Sequence, residues 1–310
     1  SLMLPLWHAY SFLVTYATVD QWRPANGHDA VPAEPSNPLD RWILSRLEGM
    51  VADVTRSLDG YDLMAAAGRF TQFIDLLTNW YIRRSRRRFW KSQNDGDKAE
   101  AYATLYHVLL TFCRTAAPIM PFMTETIYRN LRADDMPESV HLCDYPQAAE
   151  RYRDPVLDRR MDRAMVAVSL GRFLRRQATV RTRQPLPKAI LVSLDAECRA
   201  DFEVMRELIA DELNVKTVEI RDDEEALVTL SAKANYKRLG ARLGKAMKLA
   251  ATAIEGLPPA DLFKLLRGGS HDLMLADGQA LSITKDDLEL RRNERAGLTV
   301  ANEGMVTVAL

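Results

Sequence analysis

An apolar stripe that turns cationic without leaving its side of a helix is the feature that most restricts this chain. Phe70, Phe73, Ile74, Leu77, Trp80 and Tyr81 recur at helical spacing. Carried forward at about 100° per residue, the stripe lands on Arg84 and Arg88. Two readings follow. Either the helix end projects beyond its neighbours and frees these arginines for a ligand, or Arg84 and Arg88 are buried and paired with acids. The surrounding stretch, Asn79 to Lys91, holds five arginines and one lysine and contains no acid. Trp80 and Tyr81 precede the charge, and Phe89 and Trp90 follow it. Cations suit phosphates and flat rings suit unstacked bases, so the stretch is a candidate RNA contact. Arg87, Arg88 and Trp90 are favoured for ligand contact. Trp80 and Arg84 divide evenly between ligand and structure. Arg83, Arg87 and Lys91 form a second stripe at i, i+4 and i+8, expected to face solvent.

The rest of the first 150 residues reads as helices with short connections. Residues 3–19 carry helical spacing, and a Pro/Asn/Gly/Asp-rich connection follows at residues 23–36. Asn37 as N-cap, Pro38 at the first helical position and Asp40 in the first turn open a second helix that Gly60 ends. Asp62 caps the third, Gln93 to Gly96 make a turn, and Asp97 begins a fourth. Pro118 and Pro121 interrupt that one before a fifth helix runs to about Leu131. Amphipathic helices so connected describe an antiparallel bundle. His107, within an apolar helix, is expected to be a core or edge histidine.

The prolines at 137, 146 and 155 mark a boundary, and the expected organisation is a bundle over 1–150, a basic connecting helix over 151–184 and an α+β domain over 185–310. Between Arg151 and Lys188 stand eleven basic residues and three acidic ones. From Pro185 the periodicity alternates: strands are expected at 189–194, 215–220 and 227–232, helices at 199–213 and up to 254, and another helix at 259–266. Short strands are expected at 272–275, 280–284, 288–291, 298–300 and 305–310. The segment KANYKRLGARLGKAMK, Lys233 to Lys248, holds six basic residues and no acid. Arg175, Arg176, Lys233, Lys237, Arg238 and Lys245 make a possible second RNA surface, with a solvated face as the plainer alternative. The fold class is thus mainly α, an antiparallel bundle followed by a smaller α+β domain.

Composition sets these patches against a neutral background. The 42 Lys+Arg balance 42 Asp+Glu over 310 residues, so no global charge attracts nucleic acid or membrane. Residues 1–150 hold 15 basic and 18 acidic residues, which makes the Arg run a local patch. Cys113, Cys143 and Cys198 lie far apart without a CxxC pair, against zinc and disulfides and in keeping with a reducing cytoplasm. There is no apolar run of membrane-spanning length. Gly240 to Lys245, GARLGK, is one residue short of a P-loop, and Ala246 stands where Ser or Thr must reach magnesium. No GxGxxG unit, HExxH or GxSxG elbow is present. No residue is assigned a catalytic or metal-binding role. The chain reads as a binding module. Because Ser1 begins inside an apolar helical pattern, it is expected to be part of something larger.

Four passages carry a family resemblance. LPLWHAYSFLVTYA (Leu4 to Ala17), NPLDRWILSRL (Asn37 to Leu47), NWYIRRSRRRFW (Asn79 to Trp90) and KANYKRLGARLGK (Lys233 to Lys245) together resemble the C-terminal part of isoleucyl-tRNA synthetases of the eukaryote-like branch. The third passage is the most specific. Ala234 and Tyr236 depart from the proline and phenylalanine common there. The resemblance implies an anticodon-binding bundle that recognises isoleucine tRNA, with Trp80, Arg83, Arg84, Arg87, Arg88, Trp90 and Lys91 as its RNA-contact candidates. It also implies a larger enzyme using ATP and magnesium on catalytic and editing domains. The HIGH and KMSKS signatures of those steps are absent here, so this chain alone is expected to be inactive and without a cofactor. A stand-alone RNA-binding or protein-interaction module is the alternative, as is the matching part of a valyl enzyme.

Overall fold

The computed structural model describes residues 2–24, 35–91, 95–223, 225, 227–276, 278, 280–294 and 299–310; of 241, 245 and 292–294 it describes the backbone alone. Most of the expected 23–36 connection, residues 93 and 94 of the expected turn and the first residue of the expected strand 298–300 therefore lie outside the described residues. The chain divides into two compact units, Ser1–Asp158 and Arg159–Leu310.

The first unit is helical. α1 spans Met3–Val19, α2 Pro38–Asp59 and α3 Leu63–Leu76. A π-helical turn, Leu77–Ile82, leads directly into α4, Arg83–Trp90. α5 spans Gly96–Ala116 and α6 Pro121–Leu131. Local chemistry starts these helices. The Asn37 side chain accepts from the Leu39 amide at 2.9 Å, and Asp62 accepts from the Ala65 amide at 2.9 Å. Asp95 rather than Asp97 caps α5, accepting from the Lys98 amide at 2.9 Å, so this helix starts earlier than the sequence suggests. α5 buries residues on most of its circumference, Leu105, Leu109, Phe112 and Cys113 among them. Phe112 meets Phe70 of α3 edge-on at 5.4 Å between ring centroids. His107 is half-buried on this helix, its ring 6.1 Å from that of Tyr152.

α7, Pro155–Gln177, has its first turn in this unit. There the Ser45 hydroxyl donates to Asp158 at 2.9 Å and accepts from the Asp154 amide at 2.9 Å. The entry to α7 is therefore pinned to α2.

The second unit is α+β. β1 (Leu186–Val192), α8 (Ala196–Val204), α9 (Arg206–Leu213) and β2 (Val215–Arg221) form a parallel βαβ unit. The single helix expected over 199–213 is two, broken at Met205. β3 (Val228–Ala234) is followed by α10 (Tyr236–Leu243), α11 (Met247–Glu255) and α12 (Pro259–Leu266). β4 (His271–Met274), β5 (Ala280–Ile283), β6 (Leu288–Glu294), β7 (Val300–Glu303) and β8 (Val306–Ala309) complete it. The largest sheet has the order β2-β1-β8-β7, with β8 antiparallel to β1, and β3 pairs antiparallel with β6. Alternating burial along β3 places Val228, Leu230, Ala232 and Ala234 on a core shared with Leu239, Ile254 and Leu262. The GARLGK stretch ends α10, and Gly244 there takes a φ of +48°, a conformation suited to glycine.

Candidate nucleic-acid interface

The π-turn decides which arginines reach solvent. A wide turn holds more residues than an α-turn, so everything beyond it is displaced in phase from a constant-period projection. Past Leu77 the buried positions are Tyr81, Ile82, Ser85, Arg88 and Phe89. The exposed ones are Asn79, Arg86, Arg87, Trp90 and Lys91, while Thr78, Trp80, Arg83 and Arg84 are half-buried. Ser85, rather than Arg84, thus occupies the buried position.

Arg88 requires a correction as a ligand-contact residue. It is 7% exposed, and its guanidinium forms a two-pronged pair with Asp40, Nη1 to Oδ1 and Nη2 to Oδ2, both at 2.7 Å. Its Nε lies 2.8 Å from Asp97, and Nη2 also donates to the Asp97 carbonyl at 2.9 Å. Asp40, fully buried, accepts a further hydrogen bond from the Tyr81 hydroxyl at 2.7 Å. Burial works against the Arg88 charge, but the hydrogen bonds and negative charge of Asp40 outweigh it and hold the guanidinium firmly protonated. Arg88 therefore ties α4 to the start of α2 and the start of α5. A free fork in place of that pair would leave a buried charge unmet.

Lys91 is also engaged. Its ammonium sits 2.9 Å from Asp97 and 3.3 Å from Asp95, and these partners raise its pKa. Arg83 donates from Nε to the Asn79 carbonyl at 2.6 Å and lies 5.5 Å over the Trp80 ring. Lys98, which sequence reasoning passed over, is almost wholly buried. It donates to the Lys91 carbonyl at 2.7 Å and pairs with Asp20 at 2.6 Å, closing the end of α4. Nothing in the local pattern separates Lys98 from an ordinary first-turn lysine.

What remains open is compact. Arg86 and Arg87 are exposed and have no ion-pair partner among the described residues. Trp90 is 56% exposed, and its indole N–H donates to the Tyr16 hydroxyl of α1 at 2.7 Å, which fixes the ring edge and leaves ring surface to solvent. Phe12 of α1 meets both Phe89 and Tyr16, at 5.0 and 4.9 Å between ring centroids, so the residue before Trp90 and its hydrogen-bond partner share an aromatic cluster. Tyr16 and Arg86 were missed in the sequence. Tyr16 gives no sign of its partner there, and Arg86 falls off both projected stripes.

Of the six residues of the possible second surface in the other unit, two are engaged. Arg175 is 2% exposed, and Nη2 donates to the Gln184 carbonyl and, at 3.4 Å, to the Thr182 carbonyl, so it braces a turn and presents nothing outward. Arg238 pairs with Asp287 at 3.2 Å and Asp286 at 3.4 Å. Arg176, Lys233 and Lys237 are exposed, and the side chain of Lys245 lies outside the described residues. Upstream, Arg159, Arg160 and Arg163 of α7 converge on buried Asp201, at 2.9, 3.2 and 2.5 Å, and Arg172 pairs with Glu212. Burial raises the Asp201 carboxyl, but the hydrogen bonds from these arginines outweigh it and the pKa falls below the usual value.

Among the described residues no cluster of His, Cys, Asp or Glu could hold a metal ion, and no helix is long and apolar enough to cross a membrane. Cys113 is buried, and burial pushes its thiol pKa well up, which makes it a core residue without nucleophilic character.

Residues 40–190 match the family described as the anticodon-binding domain of tRNA ligase. The chain is 44% identical over 318 residues to an isoleucine–tRNA ligase of Treponema denticola, which it matches over its full length. It is 41% identical to that of Protochlamydia amoebophila and 36% identical to that of Cytophaga hutchinsonii, over 100% and 98% of this chain. It spans about 29% of the length of the first two relatives and 28% of the third. The chain belongs to the isoleucine–tRNA ligase family, of which it carries the anticodon-binding domain.

Proposed function

We infer that the chain binds the anticodon stem-loop of isoleucine tRNA on the outer face of α4. It does so within a longer cytoplasmic ligase that attaches isoleucine with ATP and magnesium bound outside this region. The observation that carries the reading is the pairing of two ion-pair-free arginines, Arg86 and Arg87, with the braced and half-open indole of Trp90. Arginines meet the phosphates that dominate affinity. A fixed aromatic face takes a base splayed from a loop, where single-stranded RNA is read. Two of the seven residues first considered leave this surface: Arg88 is locked to Asp40, and Lys91 is held between two aspartates.

The test is a binding titration of this chain with isoleucine tRNA, valine tRNA and an RNA duplex at two salt concentrations. Tighter binding of isoleucine tRNA, abolished by combined Arg87→Ala and Trp90→Ala, is the expected result. Equal, salt-sensitive binding of all three would reduce the face to a phosphate contact. An absence of binding at low salt would end the reading.

A further inference from the structure

Beside the α4 face lies a groove between α1 and the helix that carries the π-turn. It encloses about 480 Å³, and its walls include His8 and Phe12 of α1 and Asp75, Asn79, Ile82 and Arg86 opposite. The groove is mixed in character. Phe12 and Ile82 supply apolar walls, His8 a flat ring, and Asp75 and Asn79 a polar edge.

That polar edge has a defined sense. The Asn79 amide nitrogen donates to Asp75 Oδ1 at 2.6 Å. This fixes the amide orientation and leaves the Asn79 side-chain oxygen and Asp75 Oδ2 as acceptors. Both residues are exposed, so the acceptors are within reach of a ligand. His8 and Arg86 are exposed as well, and neither has a partner among the described residues. Arg86 therefore places a positive charge at the same groove as two acceptors. Apolar walls beside an acceptor pair and an arginine suit one ligand class: an unstacked base offering N–H donors, followed by its phosphate. The chemistry disfavours uracil, whose one N–H donor on that edge, at N3, is flanked by two carbonyl oxygens that would be brought against the acceptors of Asp75 and Asn79. Cytosine, adenine and guanine each present an amino group instead.

We propose that this groove holds a second unstacked nucleobase of the bound RNA loop, one bearing an exocyclic amino group, with Arg86 on the adjoining phosphate. The π-turn is what builds it. Residues 77–82 carry Asn79 and Ile82, and the phase they impose brings Arg86 onto the groove side while Arg88 turns inward. The site rests on the reading of the α4 face given above, because the same loop must span both.

The test uses the whole 310-residue chain and two RNA hairpins of one stem, with seven-nucleotide loops rich in amino-bearing bases or composed of uridine. Fluorescence anisotropy gives the affinity ratio. The amino-bearing loop is expected to bind roughly tenfold more tightly. Asn79→Ala and His8→Ala, on opposite walls, should each shrink that ratio toward one and leave the uridine hairpin almost unaffected. Trp90→Ala should weaken the amino-bearing hairpin, and Arg87→Ala both hairpins. A ratio untouched by both groove variants, or a ratio of one in the unsubstituted chain, overturns the groove assignment. Salt-sensitive binding that still responds to Arg87→Ala would in that case keep the α4 reading standing. Failure of the unsubstituted chain to bind either hairpin would remove both. Far-ultraviolet circular dichroism separates loss of binding from loss of fold, and His8, exposed on α1, supplies the variant that leaves the π-turn intact.

Discussion

Two arginine-rich helices, α4 and α7, part company over what stands beside them. On α4 one arginine, Arg88, is satisfied by Asp40 and Asp97, while Arg86 and Arg87 form no ion pair among the described residues. On α7 most of the charge is absorbed: three arginines converge on Asp201, a fourth meets Glu212, Arg175 is spent on backbone carbonyls, and Arg176 alone of the six is left exposed without an ion pair among the described residues. The lesson is that arginine density does not mark a nucleic-acid surface. The acids that the fold brings within reach decide how much of that charge remains for a ligand.

Breaking each arrangement at its acid gives the largest effects. Asp40→Ala strands a buried guanidinium and the Tyr81 hydroxyl, and should cost roughly 3–5 kcal/mol of stability. Urea unfolding measures it, and a loss below about 1 kcal/mol would mean that Arg88 finds water or another partner. Asp201→Ala should cost less, about 1.5–3 kcal/mol, because Arg159 and Arg160 are a third exposed and can be rehydrated. RNA affinity should hold in that variant, and a fall there would make α7 part of the interface after all.

Smaller effects sharpen the comparison on the binding side. Trp90→Ala should lose roughly 1–3 kcal/mol of RNA affinity with the loss concentrated on isoleucine tRNA, and leave the unfolding midpoint close to its original value. Arg87→Ala should weaken all RNAs alike and reduce the slope of log affinity against log salt by about 0.7–0.9 for one phosphate contact. If Arg176→Ala produced the same change in slope, the distinction between the helices would fail.

The smallest effect is a pH dependence. Burial tends to raise the Asp97 carboxyl, but its hydrogen bonds to Lys91 and Asn37 and the charge of Arg88 bring it below the model-peptide value of 3.8. A depressed folded-state pKa contributes stability above 3.8 that is lost as pH falls through the folded value. Asp97→Asn should therefore be less stable than the parent at neutral pH, by within about 1 kcal/mol since the pair is partly solvated. The two should converge in acid. A constant gap across the titration would assign the effect to packing instead of charge.

Much of the first unit was legible because its signals are local. Asn37 with Pro38, and Asp62, announce their helices within a few residues, and α5 shows its burial in its composition. The orientation of the Arg run was legible only in part: Arg88 lies on the buried side and Arg87 on the solvent side as projected, but Ser85 takes the buried position projected for Arg84. A projection at constant period has no means of registering a π-turn, and its phase error falls where charged residues alternate between partner and solvent. The pairing of Arg88 with Asp40 spans 48 positions, and that of Trp90 with Tyr16 spans 74, so neither leaves a local trace. The second unit shows the same limit. Its strands were found close to their places, but the insertion of β8 beside β1 joins segments more than a hundred residues apart.

The π-turn also sets how this helix tolerates changes in length. Loss of a single residue within Leu77–Ile82 could be absorbed by tightening the turn to an ordinary α-turn, which would keep Arg88 opposite Asp40. A residue added there has no such slack, and would swing the remainder of the helix by about 100°. Shortening and lengthening are thus unequal events at this point. The first removes a wide turn, while the second exchanges the inner and outer arginines.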